Sequence, residues 1–478
     1  MVFSSITFLG FFLPVLLLLY FVLPNRNYRN VVLLFSSLLF YAWGEPKFVL
    51  LMIASILFNY NMGLLIANSR EQNRKVLLVF SVAVNLLVLF IFKYLGFSCE
   101  IINYIIKSLN LKPLEVINLV LPIGISFYTF QEISYIVDVY RQPELVQRKV
   151  LNLGLYITFF PQLIAGPIVR YHDINTQIED RTETIEKASI GFQRFIIGLA
   201  KKVCIANNMA YICDSIYNVG FFSYSTWQAW LAAIAYALQI YYDFSGYSDM
   251  AIGLAKVFGF DLLENFNYPY AAKSVTDFWK RWHISLTSFF RDYVYIPLGG
   301  NRKGKVRTII NRMSVFFLTG LWHGAAFNFI FWGLLHGIAM VIERFFSLEN
   351  RKNKIFTFFY RIFTLFVIVM LWVLFRNGLV ETIKIWIKMF GINYTIFTSP
   401  RRISTLPLYL YADTKAFVML GVGIICSFPW WRGIKLPTNR VFLNVFSVIK
   451  CIVLIGLLIL CFSFLANDTY NPFIYFRF

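Results

Sequence analysis

Charge is scarce in this chain. Only 14% of its 478 residues are Asp, Glu, Lys or Arg, against about a quarter in ordinary soluble domains. Acidic groups are the scarcer sign, 24 against 44 Lys and Arg, and there are only 4 histidines. The 6 cysteines (Cys99, Cys204, Cys213, Cys426, Cys451 and Cys461) show no CxxC or other metal-ligand spacing. Most of them lie within or beside apolar runs, where packing is the ordinary role of a thiol. No HxxH, HxxxH or HExxH string occurs and His172 stands alone, which argues against a zinc or di-iron centre. The absence of a GxSxG elbow argues against a serine hydrolase of that design. No internal repeat is visible, so a transporter built from repeated halves gains no support.

What the chain does have is apolar surface in blocks. It is 59% hydrophobic with 52 Phe, and runs of crossing length recur from end to end. Candidate spans are 3–24, 28–44, 46–66, 76–96, 114–136, 150–169, 225–244, 306–322, 325–343, 356–376, 413–430 and 441–465. Each can cross a hydrocarbon core about 30 Å thick as a helix, which predicts an all-α polytopic membrane protein of about eleven transmembrane or re-entrant helices. The first run, from Phe3 to Leu23, has no basic n-region and no small-residue cleavage site, so it reads as an uncleaved first span.

A net charge of +20 would suggest nucleic acid in a soluble protein, but here the charge is loop-specific. Arg26 and Arg29 follow the first span, Arg70, Arg74 and Lys75 the third; Arg141, Arg148 and Lys149 precede the sixth, and Arg351, Lys352 and Lys354 the tenth. Alternate basic loops follow the positive-inside rule, which predicts both termini outside the cytoplasm and no nucleic-acid partner. Between the spans, residues 186–203 place Ile190, Phe192, Phe195, Ile196 and Leu199 at helical spacing among Lys187, Arg194, Lys201 and Lys202, the pattern of a helix lying in the lipid interface. Residues 259–312 mix Trp279, Trp282, Phe289, Tyr293 and Tyr295 with many basic groups, a composition suited to headgroup depth.

Polar groups inside a bilayer are costly and point to function. The clearest are Gln131, Glu132 and Asp138, then Gln239, Asp243 and Asp249, and the histidines His283, His323 and His336. Two readings stand for the carboxylates. Glu132 and Asp138 either serve a site or end a span beside Arg141; Asp243 and Asp249 either line a cavity or cap short helices around a break at Ser245-Gly246. Gln239 and Asp243, four apart, share one helical face. His323 and His336 lie thirteen residues apart, about 20 Å of rise on one continuous helix and nearly opposite faces. An imidazole in a polar pocket, acting as a general base, is the chemistry that remains.

At this point the residues resemble a known family. "FFPQLIAGPIVRY" (159–171), "DFSGYSDMAIGLAKVFGFDLLENFNYPY" (243–270), "SVTDFWKRWHISLTSFFRDYVYIPLGG" (274–300) and "GLWHGAAFNFIFWGLLHG" (320–337) are similar to membrane-bound O-acyltransferases. Within that superfamily the chain looks like the bacterial alginate and peptidoglycan O-acetyltransferase membrane subunits. The likeness is strongest over 120–345 and reaches the opening "MVFSSITFLGFFLPV" and the closing "NPFIYFRF". It implies one membrane domain over 1–478, with N-terminal helices in 1–110, a catalytic core in 120–345 and C-terminal helices in 355–478, enclosing a tunnel. It also implies that His323, in Trp322-His323-Gly324, is the catalytic histidine and His283 the second polar residue of the chamber.

The resemblance further implies acetyl-CoA as a donor substrate arriving from the cytosol, with no permanently bound cofactor and no metal. Lys273, Lys280, Arg281, Arg291, Arg302 and Lys303, with Lys305 and Arg307 nearby, are the basic groups available for its phosphates; loop topology accounts for such residues as well. Gln131, Gln239, Asp243, Trp322 and His336 are expected along the tunnel, and His283 as an orienting hydrogen-bond donor beside the thioester. The family setting is the bacterial cytoplasmic membrane, where lipids surround the chain and an extracytoplasmic acetyltransferase partner passes acetyl to a polysaccharide. Two other classes stay open: a related acyl transfer, such as D-alanylation of teichoic acid or acylation of a lysophospholipid, and a transporter or flippase without chemistry.

Overall fold

Some of the apolar runs open on a capping side chain, at Asn25, Thr184, Ser225, Asn353 and Asp413, whereas those starting at Leu13, Phe48 and Glu71 begin without one. The computed structural model describes residues 1–116, 119–348, 351, 353–392, 407, 409, 411–430, 432, 439–467 and 471–474, and every regular element among them is helical. The N-terminal third holds α1 (Leu13–Val22), α2 (Arg26–Ala42), α3 (Phe48–Asn68), α4 (Glu71–Lys93) and α5 (Leu95–Ser108). Next come α6 (Ile125–Arg141), α7 (Val150–Thr158), α8 (Phe160–Leu163) and α9 (Tyr171–Glu179). The centre is α10 (Ile185–Ala200), α11 (Asn207–Asn218) and α12 (Thr226–Val257), followed by the short α13 (Val275–Trp279) and α14 (Ile284–Phe290). The remainder is α15 (Gly304–His323), α16 (Phe327–Phe345), α17 (Lys354–Arg376), α18 (Leu379–Met389), α19 (Thr414–Cys426) and α20 (Arg440–Asn467).

Five stretches among the described residues are long and apolar enough to cross a membrane: Phe48–Asn68, Glu71–Lys93, Ile185–Asn218, Lys354–Arg376 and Arg440–Asn467. Their outward faces carry Val76, Ile355 and Ile459, each more than 60% exposed, as suits contact with lipid rather than water.

Four expectations change. Residues 186–203 do not form an interfacial helix: α10 runs through a π turn at Lys201–Ala206 into α11 and packs along α12. The reason lies in its glycines. A Cβ on Gly198 would come within 2.6 Å of the Gly246 carbonyl oxygen, so only glycine lets the two backbones approach this closely. Among its described residues, the 114–136 span is helical only from Ile125, after Gly124 in the left-handed conformation at φ 75°; residues 117–118 lie outside the described residues. The 150–169 span is broken at Phe159 into α7 and α8; Pro161, lacking an N–H, is accommodated in the first turn of α8. By contrast the 225–244 span continues to Val257 without a break at Ser245-Gly246, which removes the capping reading for Asp243 and Asp249. Its start is firmly set by a capping box between Ser225 and Gln228.

Both chain ends meet against α12. The Phe3 and Phe473 rings flank Tyr247 at centroid distances of 4.6 and 5.1 Å, and Asn471 Nδ2 donates to the Ser4 carbonyl at 2.8 Å. The Ile474 N–H donates to Asp243 at 2.8 Å, whose other oxygen pairs with Lys202 at 2.6 Å. Residues 3–4 and 471–474 therefore meet against the same helix.

Candidate active site

His283 stands where α13 turns into α14. Its backbone is left-handed, with φ 45°, a conformation that costs a non-glycine residue energy and persists where surroundings enforce it. Asn265 is the enforcing group. Its backbone carbonyl accepts from Ile284 N at 3.0 Å, and its side-chain Oδ1 accepts from Ser285 N at 3.2 Å and Ser285 Oγ at 2.9 Å. A backbone N–H can only donate, so the amide atom facing Ser285 is the oxygen. His283 Nδ1 lies 3.1 Å from that same oxygen and must therefore carry the proton. Nε2 is left with its lone pair, fully buried and with no partner among the described residues. With its proton on Nδ1, a neutral His283 presents an acceptor at Nε2 rather than a donor.

His323 ends α15, which breaks at Gly324 before α16 returns beside it. The two helices approach through Gly320 and Gly333, where a Cβ would fall 2.4 Å from the Phe329 carbonyl oxygen and 2.2 Å from that of Phe316. The break overturns the continuous-helix spacing. His323 and His336 both pack edge-on to Trp332, at centroid distances of 5.2 and 4.9 Å, so one indole separates them. Trp322 and Phe375 also pack against His323, at 4.9 and 5.1 Å. Trp322 also packs against His283, with centroids 5.9 Å apart. Trp279 Nε1 lies 3.3 Å from His336 Nδ1; an indole N–H only donates, so the His336 proton is on Nε2, the tautomer opposite to that of His283.

Trp322 and His323 line a cavity of about 20 Å³ together with Lys93, Gly124, Ser126 and Phe127. Gln131, Gln239, Asp243 and His336 do not border it. Gln131 is fully buried with both amide atoms unpartnered among the described residues, and Gln239 Oε1 is in the same state. Asp243 is committed to Lys202 and Ile474.

Of the basic candidates, Lys273 and Arg281 border one cleft of about 450 Å³ with Tyr270, Arg361, Trp430 and Arg432. A second cleft of about 450 Å³ lies beyond Arg432, lined by Asn265, Tyr268, Ser248 and Lys201 among others. Asn267 joins the two, accepting from Arg432 at 2.6 Å through its side chain and from Arg281 at 3.4 Å through its backbone. Lys280, Arg291, Arg302 and Lys303 are exposed and border neither cleft; Arg291 pairs with Asp292 at 2.7 Å. No group of metal-ligating side chains occurs among the described residues. Sequence reasoning missed Asn265, Lys93, Arg361 and Arg432. A signal existed for Asn265 alone, in its place within the "ENFNYPY" motif.

The chain is 38% identical over 492 residues to the probable alginate O-acetylase AlgI of Pseudomonas putida, covering all of both chains. It is 38% identical to the peptidoglycan O-acetyltransferase of Helicobacter pylori, across 82% of this chain and 80% of the relative. Similarity to the teichoic acid D-alanyltransferase of Bacillus subtilis, at 34%, spans 50% of this chain and 62% of that one. The description of the membrane-bound O-acyltransferase family matches residues 144–382, which include both clefts' principal walls, His283, His323 and His336. This multi-pass membrane protein belongs to the membrane-bound O-acyltransferase family and is an O-acyltransferase.

Proposed function

We propose that the protein moves acetyl from cytosolic acetyl-CoA to an acceptor hydroxyl, in the service of O-acetylating a polysaccharide outside the bacterial cytoplasmic membrane. The observation that carries this reading is the line of groups from cleft to cavity. Asn265 borders the second cleft and holds His283; His283 faces Trp322; Trp322 and His323 border the small cavity beyond. In this reading Arg281, Lys273, Arg361 and Arg432 meet the phosphates of CoA, where guanidinium groups match phosphate oxygens in pairs. His283 Nε2 accepts from an amide N–H of the donor's extended arm, and the aromatic walls admit the acetyl end only.

His323 is the general base. Its aromatic surroundings disfavour imidazolium and keep the ring able to accept a proton. It takes the proton of the acceptor hydroxyl as the oxygen forms its bond to the acetyl carbon; the C–S bond breaks and the thiolate leaves toward the cytosolic cleft, taking up the proton. The alternation of basic loops supports a cytosolic position for the 70–75 and 351–354 connections and an outside position for both termini. The full-length match to an alginate O-acetylase relative, against half-length for the D-alanyltransferase, supports acetyl as the group moved. An extracytoplasmic partner that carries acetyl onward to the polysaccharide fits a cavity too small for a sugar chain.

The test is transfer of labelled acetyl from acetyl-CoA by purified protein, with and without candidate partners. Label reaching a hydroxyl acceptor in a His323-dependent manner is the expected result. Activity with long-chain acyl-CoA but not with acetyl-CoA, or substrate flux that survives loss of His323, would remove this reading.

A further inference from the structure

Lys93 ends α4, a helix of crossing length, and among the described residues no carboxylate pairs with it. Lys201 and Lys202 elsewhere in the helical body each hold a carboxylate at 2.6 Å. Lys93 Nζ instead donates to the Trp322 carbonyl and, at 3.1 Å, to Ser126 Oγ, and it lies 5.9 Å from the centre of the Trp322 ring. An ammonium has three N–H donors, so one is left without an acceptor among the described residues. A cation held in such a place by neutral acceptors alone is costly. Here it borders the same cavity as His323.

The cavity decides which anion it can meet. About 20 Å³ is room for roughly one water-sized group, so neither a sugar carboxylate nor a phosphate fits beside His323. A single oxygen does. We propose that Lys93 is a further catalytic residue of the acyl transfer, its ammonium stabilising the oxyanion of the tetrahedral intermediate. When the acceptor oxygen, deprotonated by His323, bonds to the acetyl carbon, the carbonyl π pair moves onto the acetyl oxygen and leaves one negative charge. That charge sits against Lys93 Nζ. Its return re-forms C=O and expels the thiolate, which takes the proton from His323. The inference rests on the acetyl-transfer reading above. A charge fixed in a low-dielectric site before reaction acts on the transition state without reorganising.

A purely structural role is the rival, because Lys93 and Tyr94 both bond carbonyls at the end of α15, Tyr94 reaching the Leu321 oxygen at 2.8 Å. The experiment measures turnover of labelled acetyl-CoA, CoA affinity and thermal stability for Lys93→Met, Lys93→Arg, Tyr94→Phe and His323→Gln. Lys93→Met is expected to lose about 10²- to 10³-fold in kcat, as loss of one oxyanion donor does elsewhere, with CoA affinity unchanged. Lys93→Arg is expected to recover part of that loss, and Tyr94→Phe to turn over normally. Should Lys93→Met fail to fold, Lys93→Gln, which can still donate to the Trp322 carbonyl, carries the same expectation. If His323→Gln is inactive while the uncharged Lys93 variants work normally, or if Tyr94→Phe loses as much as they do, the oxyanion role falls. If His323→Gln itself turns over normally, it is the acetyl-transfer reading of the cavity that falls.

Discussion

Replacing His323 by Gln separates the chemistry of this site from its packing. Gln keeps a polar head of similar reach but cannot take up a proton near neutrality. A positioned general base contributes roughly 10²- to 10⁴-fold in rate, equivalent to about 3–5 kcal/mol of barrier at 1.36 kcal/mol per tenfold. Packing has its own scale. The imidazole touches Trp322, Trp332 and Phe375 at centroid distances of 4.9 to 5.2 Å, and each such aromatic pair contributes about 0.5–1.5 kcal/mol. A stability loss of roughly 1–3 kcal/mol is thus expected together with the rate loss, since Gln replaces part of the contact. CoA affinity should not change, because His323 borders the small cavity and neither of the two clefts assigned to CoA. The assay pairs single-turnover acetyl transfer with CoA binding and thermal unfolding of detergent-purified protein. A fall in kcat at constant CoA affinity is the signature of a transition-state interaction. Retained turnover would refute the general-base role, and loss of CoA binding in step with turnover would show that His323 shapes the donor site instead.

Asn265→Leu removes the acceptor shared by Ser285 and His283 and should cost about 1–3 kcal/mol of stability for the buried groups left unpaired; Asn265→Asp, which keeps the acceptor, should restore turnover that Leu loses, and equal turnover in all three proteins would end the positioning role of Asn265. Asp243→Asn should destabilise by about 3–5 kcal/mol because it strands the buried Lys202 charge, whereas the double change with Lys202→Met should recover much of it; thermal unfolding of the two variants decides. His172, held by Asp138 through a 2.8 Å contact to Nδ1, has its pKa raised above the ordinary histidine value chiefly by that hydrogen bond. Its contribution to stability is therefore complete below about pH 6.5 and lost as pH rises through the raised value, so the wild-type melting advantage over His172→Gln should shrink between pH 6 and pH 9; an advantage that is flat or grows over that range would contradict it.

How far the sequence carried this picture depends on the kind of information each feature uses. Crossing helices such as α3, α4, α17 and α20 are legible because length and apolarity are local, and lipid imposes both. The breaks at Gly124, Phe159 and Gly324 are less legible, since an apolar residue reads the same in a span, a re-entrant turn or a short buried helix. α10 misled for a related reason. Its Lys and Arg suggested an interface, but Arg194 and Lys201 pair with Asp249 on α12, a partner 48 or more residues away. Glycines at 191, 198, 246 and 253 mark the α10–α12 seam only once the two helices are set side by side.

The site divides in the same way. His283 and His323 stood out because an imidazole in an apolar stretch is rare and its motif long. What they do depends on neighbours that no local pattern announces. Asn265, eighteen residues before His283, selects which ring nitrogen carries the proton. Trp279, fifty-seven residues before His336, selects the other. Lys93 arrives at His323 from 230 residues upstream, having looked like the ordinary basic end of a span. Protonation state in a membrane interior is thus set by tertiary contacts, and these put a lone pair on Nε2 of His283 and a proton on Nε2 of His336. A relay between His323 and His336 across Trp332 would need proton transfer through an indole face, which has no acceptor to offer. His336→Gln, which keeps a donor and an acceptor at that depth, should therefore leave most of the turnover that His323→Gln removes. Equal loss in the two, with both proteins folded, would require a relay route around Trp332 and would replace the single base by a pair.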